Sequence, residues 1–180
     1  MTAFIVVAAK QHPTANRAKG QTNTMKRNLL SAALLLVAII PLSVQAQSSA
    51  KPNKRETRII AAIRTVLDAQ CDAWNRGDVE GYMDGYSRSE DTVFVSGDNV
   101  ARGWQTVLDR YKKNYNSREK MGSLTFSDLE TTLVGNDAAI VLGRWHLKRA
   151  NDEPHGRFTL IFRKTKQGWK IVHDHTSSAS

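Results

Sequence analysis

Gly168-Trp169-Lys170-Ile171-Val172-His173-Asp174-His175-Thr176-Ser177 decides how the chain is read. The segment has strand rather than helix periodicity, and it is the last of four such segments beyond Met121. Working back, the others are 156–166, 137–150 and 121–134. Lys166-Gln167-Gly168, Asn151–Pro154 and Gly135-Asn136 separate them. Breaks this short favour hairpins, so the four segments read as an antiparallel meander.

Upstream of Met121 the period is helical. Ile59, Ile63, Val66, Leu67, Cys71 and Trp74 recur at three- and four-residue steps, which predicts an amphipathic helix over about 56–76. Gly77 ends it, and Asp78 caps a shorter helix reaching about Tyr86, with Val79, Tyr82, Met83 and Tyr86 on its apolar side. Thr92-Val93-Phe94-Val95 is a short strand followed by turn residues Ser96–Asn99. Trp104, Val107, Leu108 and Tyr111 mark a third helix over about 103–116. Helices grouped ahead of an antiparallel sheet give an α+β class. Such a sheet must curl around the helices to bury its apolar face, and the hollow between them is a natural small-molecule site.

The first 46 residues are read apart from this domain. Met25-Lys26-Arg27 is a positive head, Leu29–Ile40 is apolar, Pro41 breaks the run, and Val44-Gln45-Ala46 offers the small residues of a cleavage site. The twelve-residue run would span about 18 Å as a helix, too short for a hydrocarbon core of about 30 Å. The expectation is a start at Met25, a signal peptide cleaved after Ala46, and a periplasmic or secreted protein with no stable membrane anchor. Residues 47–55 then form a flexible lead-in to a single domain over 56–178. The net charge of +9 has the same origin. All 17 acids lie at Glu56 or later, and five of the 26 bases precede Ala46, so the rest of the chain carries only +4. That is ordinary for a soluble domain and argues against a nucleic-acid partner. A hydrophobic share of 41% excludes disorder, and the single Cys71 excludes an intrachain disulfide framework and a Cys-based zinc site. Cys71 is expected to be buried.

In this order, several motifs resemble those of the nuclear transport factor 2-like superfamily, the cone-shaped fold of ketosteroid isomerase and SnoaL-like cyclases. They are Trp74-Asn75-Arg76-Gly77-Asp78, the strand–loop–helix start Thr92–Gly103, Gly135-Asn136-Asp137-Ala138-Ala139 and the closing strand Gly168–Ser177. Within the superfamily the chain most resembles the association (hub) domain of calcium/calmodulin-dependent protein kinase and its bacterial relatives of unknown function. The resemblance covers about Arg58–Ser178. It implies a curved antiparallel sheet on three helices and dimerisation through the outer sheet face. It also implies an arginine-lined pocket, in which Arg144 falls at one of the arginine positions and Leu160 and Thr176 at two others. No residue aligns with the catalytic Asp of ketosteroid isomerase.

His173 and His175 share one face of the last strand and Asp174 the other, and these three are the candidates for catalysis. A metal would need a third ligand, such as His146 or His155, and nothing in the spacing demands one, so neither metal nor cofactor is expected. Asp174 is read as a cross-strand partner of Arg157. Tyr82, Phe94, Trp104, Arg144, Arg157 and Thr176 are the candidate ligand-binding residues, with Trp145 on the outer face. The basic cluster Arg110–Lys113, with Arg118 and Lys120, is read as a solvated helix face. No P-loop, GxGxxG, G-x-S-x-G or HExxH motif occurs. Three functions stay open. The first is an exported, dimeric domain that binds a small organic molecule. The second is an isomerase, cyclase or dehydratase with a His or Asp base, and the third is an oligomerisation hub. A buried ionisable group facing an open cavity would favour the enzyme.

Overall fold

The computed structural model describes residues 51–179; the expected leader and cleavage site and residues 47–50 of the expected lead-in lie outside the described residues. Helix α1 runs over Lys54–Asn75. It starts two residues before the expected position because Asn53 builds a capping box. The Asn53 side chain accepts from the Arg55 and Glu56 amides, and Glu56 returns a bond to the Asn53 amide. The short helix α2, Val79–Met83, is capped by the Asp78 carboxylate on the Gly81 amide. Strand β1, Val93–Ser96, is followed by β2, Asn99–Arg102, which the turn residues Ser96–Asn99 had concealed. Helix α3 spans Trp104–Asn114, and a four-residue helix α4, Arg118–Met121, leads into the sheet.

Four long strands follow: β3 (Ser123–Val134), β4 (Ala138–Lys148), β5 (His155–Thr165) and β6 (Gly168–Ser178). They pair antiparallel in chain order, as the short breaks require. The six-stranded sheet has the order β2-β1-β6-β5-β4-β3. One pairing was not legible in the sequence: β1 lies parallel to β6, with Phe94 opposite Asp174 and Ser96 opposite Thr176.

Two irregularities bend the sheet. One lies in β3 between Ser127 and Glu130, where Asp128 takes a positive φ of 50°; the other lies between Ile161 and Phe162. Bulges sharpen local twist and let a sheet close over a helix. The concave face carries Leu124, Leu147, Val141, Phe158, Leu160, Phe162 and Ile171, all buried against Ile63, Leu67, Trp74, Val107 and Leu108 of the helices. Cys71 is half-buried rather than buried, and burial pushes its thiol up to about 11. No described helix is long and apolar enough to cross a membrane.

Candidate functional site

The helices do not fill the concave face of the sheet. Between them lies a cavity of about 120 Å³. That is below the roughly 300–1,000 Å³ of drug-sized sites and close to the ~150 Å³ that accommodates benzene. The site therefore suits a compact molecule.

Strand parity decides which residues of the sheet reach it. Side chains of paired residues point the same way, and the pairs Leu160–Asp174 and Phe158–Thr176 place all four on the concave face. Register continues this face through Gly143 and Trp145 of β4. Asp174, Thr176, Trp145, Phe158 and Leu160 line the cavity. His173 and His175 pair with Ile161 and Thr159 on the convex face. Neither histidine lines the cavity.

Asp174 is 5% exposed. Its Oδ2 accepts a 2.6 Å hydrogen bond from the Tyr86 hydroxyl. Its Oδ1 is buried and has no hydrogen-bond partner among the described residues. Burial pushes the carboxyl up to about 7, against the Tyr86 hydrogen bond and the positive charge of Arg110, which both favour ionisation. Tyr82 and Tyr111 stand beside Tyr86, with ring centroids of Tyr82 at 6.1 Å from Tyr86 and 5.2 Å from Tyr111. Burial first, and for Tyr82 and Tyr86 the Asp174 charge next, raises these phenols, so all three stay neutral donors. The floor is fixed from behind. Gln70 donates through Nε2 to the Tyr82 carbonyl, and Trp74 through Nε1 to the Met121 carbonyl.

Of the candidate ligand-binding residues, Tyr82, Phe94 and Thr176 reach the cavity. Trp104 does not. Its Nε1 donates to the Met83 carbonyl and Arg88 stacks on its ring at 4.5 Å, so it ties α3 to α2. Arg144 and Arg157 are corrected as well. They sit opposite one another on the convex face, where Asp128 lies 3.5 Å from Arg144 and 3.9 Å from Arg157. Parity with Ser127 and Ser177, not with Phe126 and Thr176, puts them there. The expected Asp174–Arg157 pair is absent for the same reason. Trp145, expected outside, lines the cavity and donates through Nε1 to the Ser177 carbonyl. Gln70, Tyr111 and Arg110 join the lining unannounced. The signal for Tyr86 and Tyr111, two lining tyrosines outside the candidate list, was helical spacing: Tyr86 follows Tyr82 by four, and Tyr111 shares a face with Val107 and Leu108. Arg110 was hidden in a run of bases. Among the described residues no group of three or more His, Cys, Asp or Glu could hold a metal.

A curved, mostly antiparallel sheet closed by N-terminal helices over a small cavity with one buried carboxyl defines a cone-fold domain. The chain belongs to the SnoaL-like domain family, whose profile matches residues 63–180. Among solved structures it is similar to a nuclear transport factor 2-like protein of unknown function from Shewanella oneidensis. That protein is 42% identical over 66% of this chain and 98% of the other, with a TM-score of 0.63. Two more distant structures share the fold. A putative scytalone dehydratase from Novosphingobium aromaticivorans is 12% identical (70% and 87% of the two chains, TM-score 0.60). A ketosteroid isomerase-like protein from Erwinia carotovora atroseptica is 20% identical (67% and 95%, TM-score 0.54). No curated protein matches the chain.

Proposed function

We propose that the domain is an acid–base enzyme of the isomerase, cyclase or dehydratase kind, acting on a compact organic molecule held in the cone. One observation carries this reading ahead of a purely binding or assembly role: Asp174 lines the cavity and its buried Oδ1 has no hydrogen-bond partner among the described residues. A carboxyl near 7 is populated in both protonation states at neutral pH, as general catalysis requires. In the forward step Oδ1 takes a proton from an activated C–H, while Tyr86 keeps its bond to Oδ2. The electron pair moves onto the substrate oxygen. Neutral Tyr82 and Tyr111 are the donors on hand for the charge that develops there. Return of the proton to a different carbon isomerises the substrate; its delivery to a departing hydroxyl eliminates water.

The test uses cyclohexanone in D2O, followed by NMR. The parent protein is expected to speed α-deuteration by about 10²-fold or more, the usual scale of general-base catalysis, and Asp174→Asn to lose it. No acceleration over buffer with this ketone or with other small cyclic ketones overturns the reading.

The same proposal places the protein outside the cytoplasm, as a dimer paired through the convex sheet face. Val134 and Ile140 support the pairing, since both are large, apolar and exposed there. Native mass spectrometry of protein recovered from the cell envelope should show twice the mass of a chain beginning at Gln47; a single chain, or one retaining residues 1–46, counts against it.

A further inference from the structure

The cavity holds a second ionisable residue that the acid–base reading leaves without a task. Arg110 projects from α3 into the lining. Its guanidinium carbon lies 4.4 Å from the centre of the Phe94 ring, which removes water from one side. No acidic side chain among the described residues forms an ion pair with it; the acids nearest in the chain face elsewhere, with Asp109 accepting from Gln105. Around it the lining is polar: Ser96 of β1 and Thr176 and Ser178 of β6 are more exposed than Asp174 and mark the mouth. Asp174, Tyr82 and Tyr86 are the buried part of the lining, and Leu124, Phe158 and Leu160 its apolar wall. The cavity therefore combines a cationic group, apolar walls and a buried end that carries the Asp174 acceptor beside tyrosine donors.

We infer that Arg110 anchors the anionic end of the ligand, so that the molecule taken is a compact organic acid whose far end, an acidic C–H or a hydroxyl, meets Asp174 Oδ1. A half-buried guanidinium, itself planar, binds a planar carboxylate through two parallel hydrogen bonds, which fixes orientation as well as affinity. Held at that end, the ligand presents its opposite end to the floor and its middle to Phe158 and Leu160. Arg110 is thus a specificity and positioning residue rather than the proton carrier. This inference rests on the cavity being the reaction site.

The experiment compares 4-oxocyclohexanecarboxylate with 4-oxocyclohexanecarboxamide, which differ in charge and share the ring ketone. Binding is measured by titration calorimetry and α-deuteration by NMR. The acid should bind at least about tenfold more tightly than the amide, as expected for a charge-assisted pair. Arg110→Gln should remove that difference, bringing the acid down to the amide's affinity, and should move the pH profile of cyclohexanone exchange upward, since the Arg110 charge favours ionised Asp174. Equal affinities for acid and amide in the parent, a preference that survives Arg110→Gln, or no binding of either while cyclohexanone still exchanges overturns the inference alone. Absent exchange with every ketone, beside a preference for the acid that Arg110→Gln abolishes, sinks the acid–base reading and upholds the anchor.

Discussion

Asp174 is where the molecule gives up stability for a poised group. An isolated buried carboxylate is costly, and one hydrogen bond from Tyr86 does not replace the water lost by both oxygens. The sign of the pH effect follows. The folded protein holds the Asp174 proton up to about 7, against 3.8 for the free group. The benefit of that tighter proton is complete below the lower value and is lost as pH rises to the upper one. Asp174→Asn removes this slope. Relative to the parent, the variant should gain stability between pH 4 and pH 8, by at most about 4 kcal/mol given ~1.4 kcal/mol for each pKa unit. Urea unfolding at the two pH values measures it. A constant difference would show that the carboxyl titrates as an exposed one. Deleting the Tyr86 hydroxyl acts on the same balance: Tyr86→Phe should raise the Asp174 pKa further, visible in the pH profile of ketone exchange.

Among the elements, the junction of β5 with β6 tolerates least. A Cβ on Gly156 would overlap the Ser177 carbonyl oxygen, which also accepts the Trp145 indole N–H. Gly156→Ala should therefore spread the two strands and cost about 3 kcal/mol, a strong overpacking effect, read as a lowered thermal midpoint. An unchanged midpoint would mean that the strand end is already loose. These elements also show what the sequence could reveal. The four meander strands and the two longer helices were legible because each repeats its own period over ten or more residues with Gly, Asn or Pro at the breaks. Strand β2 was not: Asn99-Val100-Ala101-Arg102 is too short to show alternation and follows turn residues. The faces of the meander were half legible. Alternation put Asp174 opposite His173 and His175, but only the partner strands reveal which side is concave. Arg144 and Trp145 were exchanged for that reason. A tyrosine cluster drawn from α2 and α3 is a tertiary fact, and spacing shows only that each residue faces inward.

For the molecule as a whole, the proposed assembly turns on the convex face. Ile140 pairs with Ile161 there, next to Leu142, in an apolar strip bordered by Arg144 and Arg157. Ile140→Lys places a charge in the strip without touching the cavity. It should yield single chains in native mass spectrometry and leave ketone exchange intact, whereas a dimer that survives the variant must pair elsewhere. The sheet order has a further consequence, for biosynthesis. Residues 168–178 do not add a strand at the margin; they wedge between β1 and β5 and hold the two parts of the sheet together. A nascent chain leaving the ribosome therefore carries two open edges until residues 168–178 have been made. A premature stop codon before Gly168 would remove the keystone together with the reactive carboxyl, leaving a product that can neither close nor catalyse.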